Sequence, residues 1–416
     1  MKVESVVRIA LLIGVWPLLA GCQIGPRAMS LGHSEYASAV GKINDEQLLL
    51  NLVRLRYRAT PVWLEIANIS TQYEASASGN VSAALNEDVS LDGGNNPDTF
   101  GVGVGGGYAE RPTISYTILG GEQFTKRLLR PISVGAVSLL ADSGWRTDRV
   151  LLLMAERVNG LKNAPRASGP TPADEPEFRA FQEAARLLRK LYRAGAIDFE
   201  FSTRVEQISD PISRDNVEGD MLIDAAEAGS EFRVSGDGQS MFLSQEQRVL
   251  MLRVVDSAGH STDLARLRVL LKLTPEVQRY DFVDPADGDY DPLSQERAFD
   301  DLAIDTRSLL GVMYYLSNGV AVPPEHQMDG PVTQTYDANG QPFDWKELLG
   351  ELFAVRYAKT RPRDAAVAVR YRGWGFYIAA NDESSLATFA LLNQLASLTS
   401  GERRGAAPVL TLPVGN

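Results

Sequence analysis

Cysteine is almost absent: the 416 residues hold one, Cys22. No disulfide can form within such a chain, and no zinc site of the paired-cysteine type can be built. Histidine is nearly as scarce, with only His33, His260 and His326. None of the three stands in HExxH or another paired-ligand spacing. No GxSxG elbow and no Walker loop occurs. Beyond the N-terminus no apolar run approaches the ~20 residues of a membrane-spanning helix. Cations are outnumbered, 41 Lys and Arg against 53 Asp and Glu, for a formal net charge of −12. That balance opposes nucleic acid as a partner. No motif calls for a cofactor, and none is expected.

The N-terminus carries an export signal. Lys2 and Arg8 give a weakly positive start diluted by Glu4, residues 9–19 are apolar, and Ala20-Gly21 precede Cys22. A charged start, a short apolar core and a small-residue cleavage site define a secretory signal. Leu19-Ala20-Gly21-Cys22 resembles the lipobox of bacterial lipoprotein precursors. The resemblance covers only the first twenty or so residues. It implies cleavage before Cys22, a diacylglycerol on its sulfur and an acyl chain such as palmitate on its freed amine. Several chains anchor firmly, because each buried methylene contributes about 0.8 kcal/mol. Gln23 stands where inner-membrane lipoproteins often carry Asp. By that family rule the expected location is the outer membrane, with the body in the periplasm.

Residues 22–43 are poor in large apolar side chains and read as a tether. Asn44 and Gln47 form a capping-box pattern, so a helix is expected from there, with Leu48, Leu49, Leu52, Val53 and Leu55 as its buried stripe. Helical pieces follow at 121–130 and 133–143, then a buried strand at 149–156. A helix from about residue 177 has Arg186, Arg189, Lys190 and Arg193 crowding its end, where any helix favours cations. Strands are expected at 197–202, 249–255 and 267–273, a helix near 217–228, and a hairpin around Gly236-Asp237-Gly238. The last part holds a helix at 307–318, one strand at 366–379 and a helix capped by Asp382; Val367, Val369 and Tyr371 have opposite parity to Trp374, Phe376 and Ile378, so a bulge or bend is expected at Gly373. No internal repeat is present. The expected class is α+β, with mixed helices and mostly antiparallel strands. Expected boundaries are a signal at 1–21, an N-terminal domain at 44–158 and a middle domain at 177–280. An acidic linker at 281–301 leads to a C-terminal domain at 302–400 and a loose tail at 401–416.

One segment within the N-terminal domain stands out. Ala75, Ala77, Gly79, Val81, Ala83 and Leu85 alternate with Ser76, Ser78, Asn80, Ser82, Ala84 and Asn86. After a polar tip, Phe100, Val102, Val104, Gly106 and Tyr108 alternate with glycines. This is a long Gly/Ser/Ala-rich β-hairpin at 73–118, mildly apolar on one face and small or polar on the other. Its glycine run is not a nucleotide loop, because strand residues follow it where a helix should open. Each arm approximates the ~9–11 residues that cross a bilayer as a tilted strand. A lone hairpin cannot span, since its edges would be unpaired in lipid, but several copies can close a shared barrel. In architecture alone that solution resembles the lipoprotein channels of curli export. A soluble hairpin packed on protein is the alternative.

Asp287, Asp289 and Asp291 alternate as the first ligands of an EF-hand do, yet Pro292 replaces the turn glycine and Ala298 the bidentate Glu. They are candidate ligands of an irregular calcium site, weighed against a solvated acidic loop. The leading functional expectation is a non-catalytic envelope scaffold, anchored through lipid on Cys22 and bound to other envelope proteins. The second is a homo-oligomeric export or pore subunit built on the hairpin. The third is a periplasmic enzyme.

Overall fold

The computed structural model describes residues 24–84, 99–170, 174–236, 238–255, 259–285, 299–329, 332, 334–360 and 362–400. Cys22, the signal, the tail and the candidate calcium ligands Asp287, Asp289 and Asp291 lie outside them. The fold is α+β. It divides into two compact units, Val62–Gly120 and the body formed by the rest.

In the body, α1 spans Ile24–Arg56. The stretch expected as a tether is therefore helical from Ile24, and Asn44 starts nothing. Pro26 falls in the first turn, where its missing N–H costs little, and interior glycines such as Gly32 and Gly41 cost only about 1 kcal/mol each. The expected stripe of Leu48, Leu49, Leu52, Val53 and Leu55 is buried. Helices α2 (Glu122–Leu129) and α3 (Val134–Asp142) break at Pro131 as the sequence implies. The Ser133 hydroxyl caps α3 by accepting from the Ala136 N–H at 3.2 Å.

Two expected strands are helices. Val150-Leu151-Leu152-Leu153 lies in α4 (Thr147–Met154), followed by the short strand β3 (Ala155–Val158). Residues 267–270 close α7 (Ser261–Leu270), with Leu264 and Leu267 buried. A continuous apolar run carries no period, so strand and helix compete equally for it until packing decides.

The main sheet contains β3, β4 (Leu161–Lys162), β5 (Ile197–Gln207), β8 (Ser240–Val254), β9 (Arg279–Val283) and β10 (Leu302–Thr306). Their order is β4-β3-β10-β9-β8-β5, and β6 (Ile212–Ser213) and β7 (Ser230–Val234) also pair with β8. All pairs are antiparallel except β9 with β10. This one sheet draws strands from all three segments expected as separate domains. The acidic stretch supplies the reason. A parallel pair needs a crossover of a dozen or more residues, and 284–301 is the chain between β9 and β10. Helix α5 (Arg179–Arg193) buries Phe181, Ala184, Ala185, Leu188 and Leu191, while α6 (Gly219–Glu227) buries only Ala225.

The C-terminal part holds α8 (Leu309–Ser317), α9 (Pro324–Asp329) and α10 (Trp345–Leu349). A second sheet has β11 (Arg356–Ala358), β13 (Trp374–Ala379) and β12 (Ala365–Tyr371) in that order. The single strand expected at 366–379 is a tight hairpin. Arg372 and Gly373 both have positive φ, 46° and 80°, which builds a two-residue turn rather than a bulge. Helix α11 (Glu383–Ser400) follows, with the Asp382 carboxylate accepting from Ser385 N–H at 3.1 Å.

Candidate functional site

The second unit is the expected hairpin, and it is longer than the sequence implied. Strand β1 spans Trp63–Ala84 and β2 spans Thr99–Leu119. They pair antiparallel from Trp63↔Leu119 to Ala84↔Thr99, and among the described residues no third strand joins them. Among the described residues, then, neither edge of the ribbon is paired with a further strand over some twenty residues.

The register brings the two apolar sets together. Ala75 stands opposite Tyr108, Ala77 opposite Gly106, Gly79 opposite Val104, Val81 opposite Val102 and Ala83 opposite Phe100. Directly opposed residues share a face. The other set pairs Ser76 with Gly107, Ser78 with Gly105, Asn80 with Gly103 and Ser82 with Gly101. One face is mildly apolar and the other small and polar. Charge is distributed with equal order. Glu65, Glu74, Glu110 and Arg111 belong to the base, whereas 75–84 and 99–109 carry none.

At the base, Ile114, Tyr116 and Ile118 alternate along β2 and are exposed, Ile118 to 74%. Covering such side chains is worth about 1.5–3 kcal/mol each. A two-stranded ribbon is marginal by itself in water. Among the described residues this exposed apolar row lies on a sheet whose edges carry no further strand, the kind of edge to which another strand can add.

In the body one buried ionisable group, Arg307, serves as a joint. Arg307 is fully buried. Its Nη1 donates to the carbonyls of Leu153 at 3.0 Å and Ala155 at 2.6 Å, its Nε to Ser168 Oγ at 2.8 Å, and its Nη2 to the Asn163 carbonyl. The guanidinium lies 4.0 Å from the centre of the Tyr315 ring. Burial pulls its pKa down, against the Tyr315 and Glu156 fields. No carboxylate pairs with it among the described residues, so carbonyl oxygens carry the solvation of this charge. It ties the α4–β3 junction to α8.

Of the three histidines, His260 precedes α7, and His326 in α9 has its Nδ1 2.8 Å from the Tyr57 hydroxyl. Burial pushes the Tyr57 phenol up to about 12, so it stays protonated at neutral pH. His33 belongs to α1. Among the described residues no group of three or more His, Cys, Asp or Glu is arranged to hold a metal. No described helix is long and apolar enough to cross a membrane. The buried arginine joint gave no signal in the sequence, because nothing near residue 307 marks its side chain as internal.

Proposed function

No family model, no curated protein and no solved structure matches this chain. We propose that it is a lipid-anchored outer-membrane subunit that assembles with copies of itself, their ribbons closing one shared transmembrane β-barrel. Cys22 carries the lipid and the α+β body stands in the periplasm. The observation that carries this reading is the paired ribbon with two free edges and a charge-free outer stretch.

The dimensions support it. Ten residues from Ala75 to Ala84, at about 3.4 Å each and tilted by roughly 40°, rise about 26 Å. The apolar band of outer-membrane barrels is about 25 Å tall. With the Val and Phe set towards lipid, the Ser, Asn and Gly set lines the lumen. Each free β1 edge meets the β2 edge of the next copy, and closure leaves no backbone group unpaired in lipid. Two strands per copy give the even strand number usual in such barrels.

The test is oligomeric size in mild detergent, followed by ion conductance in planar bilayers. A ring that conducts supports the proposal. A strict monomer that never conducts removes the barrel.

A further inference from the structure

The body contains a cavity of about 670 Å³ walled by α4, α5, the turn after α10 and the first turn of α11. Five cations line it, and among the described residues only Arg146 of them makes an ion pair. The other four, Arg149, Arg186, Arg189 and Lys346, make none there. Of the nearby carboxylates, Asp148 is held by Arg146 at 2.5 Å and Glu347 by Arg179 at 2.8 Å. Glu351 and Glu383 stand exposed, at the turn after α10 and the start of α11.

Arg149 is the decisive side chain, nine-tenths buried. Its Nη1 donates to the Ser384 carbonyl at 2.5 Å and the Thr388 hydroxyl at 2.7 Å, and its Nη2 to Ser384 Oγ at 3.2 Å. Neutral oxygens fix its position without cancelling its charge. Burial lowers its pKa, Arg146 and Arg189 add to that, and only Asp148 opposes. On the α4 and α5 walls Arg149, Arg186 and Arg189, none of them ion-paired, stand against Asp148 alone, which Arg146 holds, so that side of the cavity favours an anion even in a chain of net charge −12. The guanidinium fork matches carboxylate and phosphate oxygens.

A second cavity of about 360 Å³ adjoins the first, and Arg146, Asp148 and Arg189 belong to the walls of both. This one is aromatic, with Trp145, Tyr192, Phe199 and Phe201 around Leu188 and Leu250. The Trp145 indole donates to Gln394 at 2.7 Å, and the Tyr192 and Phe199 rings meet at a tilt of 44° with centres 5.6 Å apart. Both volumes are of the size that takes small molecules.

We propose that the body binds a small organic oxyanion bearing one aryl group. Arg149, Arg186 and Arg189 hold the oxyanion, and the aryl group seats among Trp145, Tyr192, Phe199 and Phe201. A carboxylate and a phosphate offer the same oxygens, so both belong to the class. The clustered arginines at the end of α5, which the sequence explains as ordinary helix-end cations, then have a second use. Nothing in this inference depends on the ribbon.

The full purified chain is titrated calorimetrically with phenyl phosphate, 3-phenylpropanoate and inorganic phosphate. An aryl anion should bind one to one, at least about tenfold more tightly than inorganic phosphate, since its ring is buried. Whichever aryl anion binds tells carboxylate from phosphate. Arg189→Glu, at an exposed position, should weaken that binding by tenfold or more with an unchanged melting temperature. Phe201→Ala should weaken the aryl anion and leave inorganic phosphate unaffected. Saturation by neither aryl anion at about 1 mM, or binding indifferent to Arg189→Glu, overturns the site. Equal affinity for inorganic phosphate and phenyl phosphate overturns the aryl half of it.

Discussion

Val104 marks the place where a shared barrel is most vulnerable. The charge-free part of the ribbon runs from Ala75↔Tyr108 to Ala84↔Thr99, and Gly79↔Val104 lies near its middle. An arginine on the lipid face at the midplane costs about 2–4 kcal/mol in such barrels. At 1.4 kcal/mol per tenfold, Val104→Arg should reduce the inserted population roughly 30-fold to several hundred-fold in each copy. Ser82 sits three pairs away, opposite Gly101 on the other face. Ser82→Arg should insert normally and shift the channel towards anions, because the new charge lines the lumen. The assay is alkaline extraction of membranes, which leaves inserted barrels behind, combined with single-channel conductance. If both variants insert equally, the ribbon has no lipid face. If Val104→Arg lowers the melting temperature of a soluble monomer without any membrane phenotype, the ribbon packs on protein and the barrel is wrong.

Further outcomes follow from the same structure. Cys22→Ala should abolish fatty-acid labelling, since no other thiol exists; retained label would refute the anchor. Replacing Val62–Gly120 by a short Gly/Ser linker should leave the body's melting temperature within a few degrees, because the two units are separately compact; loss of cooperative melting would refute that independence. Arg307→Met should cost about 3–5 kcal/mol in denaturant titration, as it strips buried carbonyls of their donors; a loss below about 1 kcal/mol would make the joint dispensable. The Tyr57 phenol, raised from 10.0 to about 12, contributes stability that is complete below pH 10 and lost as pH climbs to about 12. Tyr57→Phe should flatten that alkaline decline, and an unchanged slope would assign it to other tyrosines.

The helices with a strong period and a clear stop were legible in the sequence. The stripe from Leu48 to Leu55, the break at Pro131 and the cap at Asp382 all hold. What failed did so for identifiable reasons. Val150 to Leu153 has no period, so its helical state depends on the packing of α4. Trp374, Phe376 and Ile378 have opposite parity to Val367, Val369 and Tyr371, a real signal assigned to a bulge instead of a turn. Arg307 and Arg149 were illegible. Their burial comes from carbonyls and hydroxyls far away in the chain, such as Ser384 for Arg149. Local pattern carries no trace of such partners.

The ribbon shows how far local pattern reaches before register takes over. Each arm displays its own alternation, odd-numbered residues apolar on β1 and even-numbered residues on β2. Alternation alone leaves open whether the two apolar sets meet, because a slip of one residue sends either to the opposite face. The observed register sets odd opposite even from Ala83↔Phe100 down to Ile69↔Ile114. Below that the apolar residues of β1 change parity, to Ile66 and Leu64, while β2 continues with Tyr116 and Ile118. Without an adjustment Ile66 and Leu64 would fall on the polar face. The register shifts between Ile66 and Asn68, and the extra residue, Ala67, places Ile66 opposite Tyr116 and Leu64 opposite Ile118. A bulge thus corrects the change of parity that the sequence itself carries. The bulge thus keeps Ile66, Leu64, Ile114, Tyr116 and Ile118 on the face that carries Val81, Val102, Val104 and Phe100 nearer the tip, with Glu110, opposite Tyr73, as the one charge between them. A lipid-facing barrel strand and a hairpin packed on protein both use such a face, which is why the Val104→Arg and Ser82→Arg pair, read in membranes and in solution, is needed to tell them apart.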